Sequence, residues 1–290
     1  SISNKGLELT MGFREKIGDL NWSISGNLSS VSNKVTSLGI GLPITGSSVS
    51  SYISLPATYT EVGEEVGYFK GYIVDGIYQS DSDVDLEFQP NAKAGDFKFR
   101  DINNDGVLTD EDKTKIGSPW PNFTYGANVD LEYKGFDFNL SITGVSGNDI
   151  FNANKINTYP MKYFGGSGVV NASKNILNRW TPGSGRNEIP RLIYNDANGN
   201  YGNSSTFYVE DGSFMRIRNI TLGYTIPNNI ITTNIISSCR LYISVQNLFT
   251  FTNYSGFDPE VSSSNPINSG IDDGVYPVPR TFLAGINLSF

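Results

Sequence analysis

Leu7-Glu-Leu-Thr-Met-Gly-Phe13 alternates without a break. Leu7, Leu9, Met11 and Phe13 take one face of an extended chain; Glu8, Thr10, Gly12 and Arg14 take the other. A short turn at Ile17-Gly18-Asp19 follows, then Leu20, Trp22, Ile24, Gly26 and Leu28 alternate with Asn21, Ser23, Ser25 and Asn27. The two runs read as a hairpin with one apolar and one polar face. The unit recurs. Phe123 to Tyr133 and Phe136 to Thr143 alternate on either side of a tight Lys134-Gly135 turn. A third unit runs from Phe214 to Ile226 and from Leu241 to Phe251. Its first strand changes phase near Arg218-Asn219, which predicts a β-bulge. A last strand spans Arg280 to Phe290.

The connections alternate in length. Short ones lie at 16–19, 134–135 and 227–238; long ones at 33–121, 147–212 and 253–278. Short turns on one side and long loops on the other are the asymmetry of outer-membrane barrels. The expected fold is therefore all-β: part of a transmembrane antiparallel barrel with long extracellular loops. Trp22, Tyr133, Phe136, Tyr224, Phe249 and Phe251 lie near strand ends, where such barrels carry aromatic girdles. A soluble sandwich also alternates its strands, but would bury the apolar faces between two sheets. Single-chain bacterial barrels have even strand numbers, so seven strands predict a C-terminal portion of a larger barrel.

Composition narrows the chemistry. The 290 residues are 38% hydrophobic and carry a net charge of −8, with no histidine and one cysteine, Cys239. An acidic chain is a poor partner for nucleic acid. Without histidine, Ser-His-Asp and Cys-His catalysis are excluded, as are His-based zinc sites. A single cysteine forms no internal disulfide. No stretch approaches the twenty or so apolar residues of a membrane helix, which leaves a β-barrel open.

Several stretches resemble one family closely. They include Gly71-Tyr-Ile-Val-Asp-Gly-Ile-Tyr78, Gly95-Asp-Phe-Lys-Phe-Arg-Asp-Ile-Asn-Asn-Asp-Gly106 and Asn178-Arg-Trp-Thr-Pro182. Others are Ser213-Phe-Met-Arg-Ile-Arg-Asn-Ile-Thr-Leu-Gly-Tyr-Thr-Ile-Pro227, Gln246-Asn-Leu-Phe-Thr250, Tyr254-Ser-Gly-Phe-Asp-Pro-Glu-Val261 and Tyr276-Pro-Val-Pro-Arg-Thr-Phe282. In this order and spacing the chain resembles the C-terminal third of SusC/RagA-type TonB-dependent transporters of Bacteroidota. The resemblance implies a 22-stranded barrel closed by an N-terminal plug, a SusD-like surface lipoprotein as lid, and import of glycans or peptides powered by TonB, ExbB and ExbD. The plug, the TonB box and the first strands are expected to lie outside this sequence. The resemblance also implies that the barrel-assembly machinery reads the C-terminal strand, here through Gly285, Leu288 and Phe290, with Leu283 where a polar residue is usual. The C-terminus is then expected on the periplasmic side.

Asp101-Ile-Asn-Asn-Asp-Gly-Val-Leu-Thr-Asp-Glu-Asp112 fits a calcium loop. Asp101, Asn103 and Asp105 take positions 1, 3 and 5. Gly106 takes the sharp turn, Val107 offers its carbonyl, and Asp112 closes the loop. Calcium is expected there as a structural ion, with the three acids and the carbonyl converging on one point. The loop aromatics Tyr159, Tyr163, Phe164, Trp180, Tyr194, Tyr201, Phe207 and Tyr208 are candidates to stack on substrate or lid, or to pack the loops on themselves. A short helix is expected over 168–179, with Val169, Val170, Ile176 and Leu177 buried. Asp130, Glu132, Asp137 and Asn139 are expected on the lumen side near the short turns. Two other readings are a secreted calcium-stabilised β-rich glycosidase, which needs two acids and no histidine, and a carbohydrate-binding module. No Asp/Glu pair is marked as catalytic, so the expected protein is not an enzyme.

Overall fold

A computed structural model describes residues 1–39, 41–49, 56–160, 171–227, 236–261 and 263–290. Seven long strands form the main sheet. They are β1 (Ile2–Ile17), β2 (Leu20–Val35), β3 (Phe123–Tyr133), β4 (Phe136–Ser146), β5 (Phe214–Ile226), β6 (Ser238–Gln246) and β7 (Thr281–Ser289). They lie side by side in sequence order, and every neighbouring pair is antiparallel. The three long connections therefore leave from one end of the sheet and the three short ones from the other. Among the described residues β1 and β7 do not pair with each other, so the sheet is open at both edges.

The register turns the alternation seen in single strands into rows across the whole sheet. One row is Phe13, Ile24, Val129, Leu140, Ile220, Val245 and Phe282. The next residue along each strand gives Arg14, Ser23, Asp130, Asn139, Thr221, Ser244 and Leu283. Adjacent rows point to opposite faces because the side-chain period of a strand is two. In these two rows, at mid-sheet, one face is apolar and the other polar, with Leu283 the exception at the last strand. Among the described residues no second sheet covers the apolar face: Leu7, Leu9, Met11, Phe13, Phe282 and Ile286 are all more than half exposed. The sandwich reading fails on this point. Trp22, Leu140 and Ile142, expected to be exposed, are instead partly buried, each on a strand paired on both sides.

Aromatic side chains gather near both ends of the apolar face. Beside the short turns, Tyr133, Phe136 and Tyr224 are consecutive members of one row, and the Phe136 and Tyr224 rings are 4.5 Å apart. Near the long connections, Phe249 and Phe251 are 6.4 Å apart. The expected bulge is present: Ser141 pairs with Asn219 and Ile142 with Ile217, leaving Arg218 as the extra residue. The expected strand 241–251 is interrupted. Asn247 adopts φ +52, β6 ends at Gln246, and Thr250–Thr252 resumes the pairing further along β5, opposite Phe214 to Arg216. The break faces the bulge, where a regular ladder cannot continue across the extra residue.

The buried core lies in the long connections rather than in the sheet. A sheet of Ile44–Thr45, Thr58–Thr60, Tyr68–Gly71 and Thr114–Gly117 forms there. So do a three-stranded sheet of Val209–Asp211, Asp149–Asn152 and Ile271–Asp272, a pair of Val74–Ile77 with Phe97–Phe99, and the helix α1 (Asn154–Thr158). Three apolar clusters fill this layer, around Phe69 and Phe151, around Phe97 and Phe99, and around Tyr159 and Tyr201. Of the helix expected over 168–179, residues 168–170, with Val169 and Val170, lie outside the described residues. Lys174–Asn178 forms a 3-10 turn that buries Ile176 and leaves Leu177 exposed, contrary to expectation. A single short turn has only one inward face, so adjacent residues cannot both be buried.

Candidate functional site: the loop layer and the polar sheet face

Most of the aromatics considered for substrate or lid contact serve the loop core. Tyr208 is fully buried, and Trp180 and Tyr159 are nearly so. Trp180 donates its indole N–H to Gln79, and its ring lies against Gly95, whose φ of +91 brings the backbone close. Tyr208 stacks on Phe151 at 5.2 Å and donates its hydroxyl to the Tyr201 carbonyl. These three side chains are corrected from contact to packing: aromatic rings in long connections are the largest apolar bodies available to bury there. Tyr194 is exposed. Tyr163 and Phe164 lie outside the described residues.

Phe207 joins the three clusters. Its ring centre lies 5.1 Å from that of Phe97, 5.7 Å from Tyr159, 6.2 Å from Tyr201 and 5.0 Å from Tyr208. The Lys155 ammonium sits over it at 4.9 Å. A polar network binds the first and second long connections beside it. The fully buried Asp96 takes a two-pronged bond from Arg191 at 2.7 and 3.0 Å, and one from Asn200 Nδ2 at 2.9 Å. Gln89, also buried, donates to the Phe97 carbonyl and Asn198, and accepts from Tyr78 and the Phe99 N–H. Buried polar groups joined in this way resist separation, because opening any one bond strands a partner away from water.

The third long connection is held by a charged clamp that sequence reasoning missed. Arg216 is almost wholly buried and donates from Nε to Thr250 Oγ1 at 2.8 Å and from Nη2 to Asp258 Oδ1 at 2.7 Å. It also pairs with Glu260, which bridges to Arg218. Arg218 further donates to Thr143 at 2.9 Å. Arg216 and Arg218 would share a face in any strand. The extra residue allows Asn219, one position on, to face the same way and bond Asn139 and Ser244. The signal was present in Arg-Ile-Arg-Asn beside the predicted bulge, but nothing local to it pointed to Asp258 and Glu260.

Two loop carboxylates are held below their ordinary range. Burial alone would raise Asp258; the N–H groups of Glu260 and Val278 and the Arg216 guanidinium outweigh it. Burial would raise Glu210 too; the Lys155 ammonium at 2.7 Å and bonds from Ser255 outweigh it. A carboxylate with a depressed folded value binds its proton more readily when unfolded. It therefore stabilises the fold above the ordinary carboxylate pKa of about 4, and that contribution is lost as pH falls through the folded value. The contacts made by Asp258 and Glu210 should accordingly become more protease-sensitive on going from about pH 5 to about pH 3, while Asp149, Asp196 and Asp273, raised by burial, act in the opposite sense elsewhere in the loops. Limited proteolysis across that range checks this, and cleavage independent of pH would contradict it.

The 101–112 loop closes on itself. Gly106 adopts φ +77, which makes the sharp turn expected of it. Asp101 accepts from the N–H groups of Asn104 and Gly106 at 2.7 and 3.0 Å. Asp105 accepts from the Val107 N–H and from Asn103 Nδ2, each at 2.8 Å. The fully buried Asp112 accepts from the N–H groups of Ile102 and Thr109 at 2.9 and 2.8 Å. Among the described residues no three His, Cys, Asp or Glu side chains are gathered so as to hold a metal ion. The expected meeting of Asp101, Asp105 and Asp112 at one point is not seen among the described residues; each carboxylate accepts from nearby N–H donors.

On the polar sheet face beside the short turns, Asp130 accepts from Ser23 and Asn139, Glu132 from Asn21, and Asp137 from Arg240. All four residues expected on that side lie there. Gly285 also lies on this face, where the Tyr242 ring covers it so closely that a Cβ would meet the ring at 2.4 Å. Leu288 and Phe290 belong to the apolar set, Leu288 opposite Cys239 and Phe290 largely exposed.

No protein-family model matches the chain. TonB-dependent receptor P3 of Formosa agariphila is 32% identical over 299 residues, covering all of this chain and 29% of that protein. TonB-dependent receptor SusC of Bacteroides thetaiotaomicron is 28% identical over 304 residues, covering all of this chain and 26% of that protein. The structure of the RagAB peptide importer in its open-open state superposes with a TM-score of 0.75 at 25% identity, over all of this chain and 29% of that one. The chain thus spans less than a third of each relative, and these relatives are receptors and importers rather than enzymes. Taken with the one-sided apolar sheet, the similarity matches this chain over its whole length to a C-terminal, SusC/RagA-like portion of the TonB-dependent receptors.

Proposed function

We propose that the chain is part of the barrel of a TonB-dependent importer in the bacterial outer membrane, taking up oligosaccharides or oligopeptides. The carrying observation is the register. An apolar row runs unbroken across seven strands, open on its face, and a polar row runs behind it on a chain matched end to end to TonB-dependent receptors. Such a sheet is stable in a bilayer, where lipid covers the apolar face and the strands satisfy one another's backbone. In this reading the short turns and the C-terminus are periplasmic and the loop layer is extracellular. A SusD-like lipoprotein docks on the loops, and TonB, ExbB and ExbD act through the N-terminal part of the whole protein. The barrel-assembly machinery recognises the Gly285, Leu288 and Phe290 strand. Deleting the gene and measuring uptake of labelled oligosaccharides and oligopeptides, with and without TonB, tests it. Unchanged uptake, or a purified protein that stays monomeric without detergent, would refute it.

Calcium at 101–112 belongs to this proposal. The donor set is entirely hard oxygen, as calcium prefers, and the Gly106 turn supports it. Each carboxylate oxygen has a second lone pair beyond the N–H it accepts. Asp101, Asn103, Asp105, the Val107 carbonyl and Asp112 would hold the ion, which would stiffen the outer loop. Asp105→Ala should weaken calcium binding by at least about tenfold without impairing barrel assembly. Calorimetric titration of chelator-treated protein measures this, and no heat from the parent protein would leave a self-bonded polar turn.

A further inference from the structure

The run Tyr276-Pro-Val-Pro-Arg-Thr-Phe282 leads into β7 and carries a cation that no described residue pairs with. Arg100, Arg191, Arg216, Arg218 and Arg240 each hold a carboxylate. Arg280 is exposed, and among the described residues its guanidinium has neither an ion pair nor a hydrogen bond. It lies over the Phe249 ring at 5.3 Å, at the long-connection end of the apolar face. Phe282, two residues on, belongs to the apolar row and is 70% exposed, so Arg280 and Phe282 stand on the same side of the strand. Phe249, Phe251 and Tyr276 are exposed around it. A charge turned outward among apolar rings is costly against hydrocarbon and is kept where a counter-charge meets it.

Height along the strand narrows the counter-charge. From Arg280 to Phe290 is roughly ten residues; at about 3.4 Å each and a tilt of about 40° they rise about 25 Å, the height of the apolar band of an outer-membrane barrel. Phe290 and the aromatics beside the short turns mark one border of that band, so Arg280 stands at the other, where lipid headgroups begin. A guanidinium there makes two-pronged, charge-assisted bonds to phosphate, and its weak hydration suits a half-dry border. Further down the same face the surface is grooved. Ala284 stands between Phe282 and Ile286 along β7 and opposite Ile243, which lies opposite Leu222. Over these small and branched side chains and Leu241 runs an apolar groove of about 520 Å³. Ala284 is about 14 Å along the strand from Arg280, a span that carries a lipid from its phosphate into its acyl chains. We propose that Arg280 and the Ala284 groove form a site for one anionic lipid, its phosphate on the guanidinium and an acyl chain in the groove. A free anion or the carboxylate of a protein partner would meet the charge and leave the groove empty. The proposal deepens the importer reading and rests on it for the bilayer and for the outer leaflet.

The test uses the full-length protein purified in detergent, with native mass spectrometry to count bound lipid. The probes are diphosphoryl lipid A, the same lipid stripped of both phosphates, and inorganic phosphate. The parent should hold the phosphorylated lipid at least about tenfold more tightly than the stripped one. Arg280→Ala should abolish most of that preference and leave the stripped lipid unchanged. Arg280→Lys should retain part of it, since an ammonium keeps the charge without the fork. Ala284→Leu, which fills the groove, should weaken both lipids. Lys98→Ala, at an exposed position between Phe97 and Phe99 of the loop layer, should change neither. Normal heat-modifiable migration shows that the barrel of each variant has assembled. The site is refuted if the parent binds both lipids equally, if Arg280→Ala or Ala284→Leu binds as the parent does, or if inorganic phosphate displaces the lipid. Cellular uptake is scored separately. TonB-dependent uptake with a lipid preference insensitive to Arg280→Ala sinks the lipid site alone, whereas an Arg280-dependent preference with TonB-independent uptake sinks the importer reading alone.

Discussion

Replacing Arg216 with methionine should free the 253–278 connection from the sheet while the seven strands remain assembled. The guanidinium is almost wholly buried and bonds Thr250, Asp258 and Glu260. Removing it leaves Asp258, itself buried, without a cation among the described residues and held by the N–H groups of Glu260 and Val278. Breaking a buried pair from one side costs about 3–5 kcal/mol, because the remaining charge is stranded. The loss should be local, since β5 keeps its ladders to β4 and β6 without the side chain. Hydrogen exchange should rise by about two orders of magnitude or more across 253–278 and stay unchanged in β1 to β4. Replacing Arg216 and Asp258 together with apolar or amide residues should recover part of the loss, as Glu260 keeps its pair with Arg218 and the buried carboxylate is gone. Equal exchange in the single variant and the parent would show that the clamp contributes nothing.

Phe207→Ala should loosen the loop layer as a whole. The ring touches all three apolar clusters, so its removal opens a cavity where they meet. Deleting a core phenylalanine costs about 3–5 kcal/mol, and the partial exposure of Phe207 puts the expected value near the lower figure. Lys155 would also lose the ring beneath its ammonium. The readout is proteolysis of the 56–122 and 171–212 segments, which should be cut at lower protease doses than in the parent, while heat-modifiable migration of the barrel stays normal. Protection equal to the parent would mean that each cluster stands alone. Phe207→Leu should be milder, because much of the volume is kept.

The strands were legible because their cause is local. Leu7 to Phe13, Leu20 to Leu28 and Phe123 to Tyr133 alternate with the period of an extended chain, and the polarity difference between their faces needs no distant residue to be seen. The bulge at Arg218 was legible for the same reason: an extra residue breaks the phase within one strand. The Lys134-Gly135 turn likewise follows from positive φ at two adjacent positions. The break after Gln246 was not legible, because it answers a bulge in a neighbouring strand. The fates of Tyr159, Trp180 and Tyr208 were not legible either. An aromatic in a long connection looks the same whether it meets ligand or core, and only packing against Phe97, Phe151 and Phe207 decides. The Arg216 clamp joins residues 42 positions apart, and the Asp96–Arg191 pair spans 95. The alternating sequence by itself determined a one-sided antiparallel sheet and the ends from which its loops leave, since period and turn chemistry act over a few residues. The tertiary structure alone decided which loop side chains are core, which carboxylates are paired, and that Arg280 is left without one among the described residues. Burial and charge pairing depend on what the rest of the chain brings to the same place.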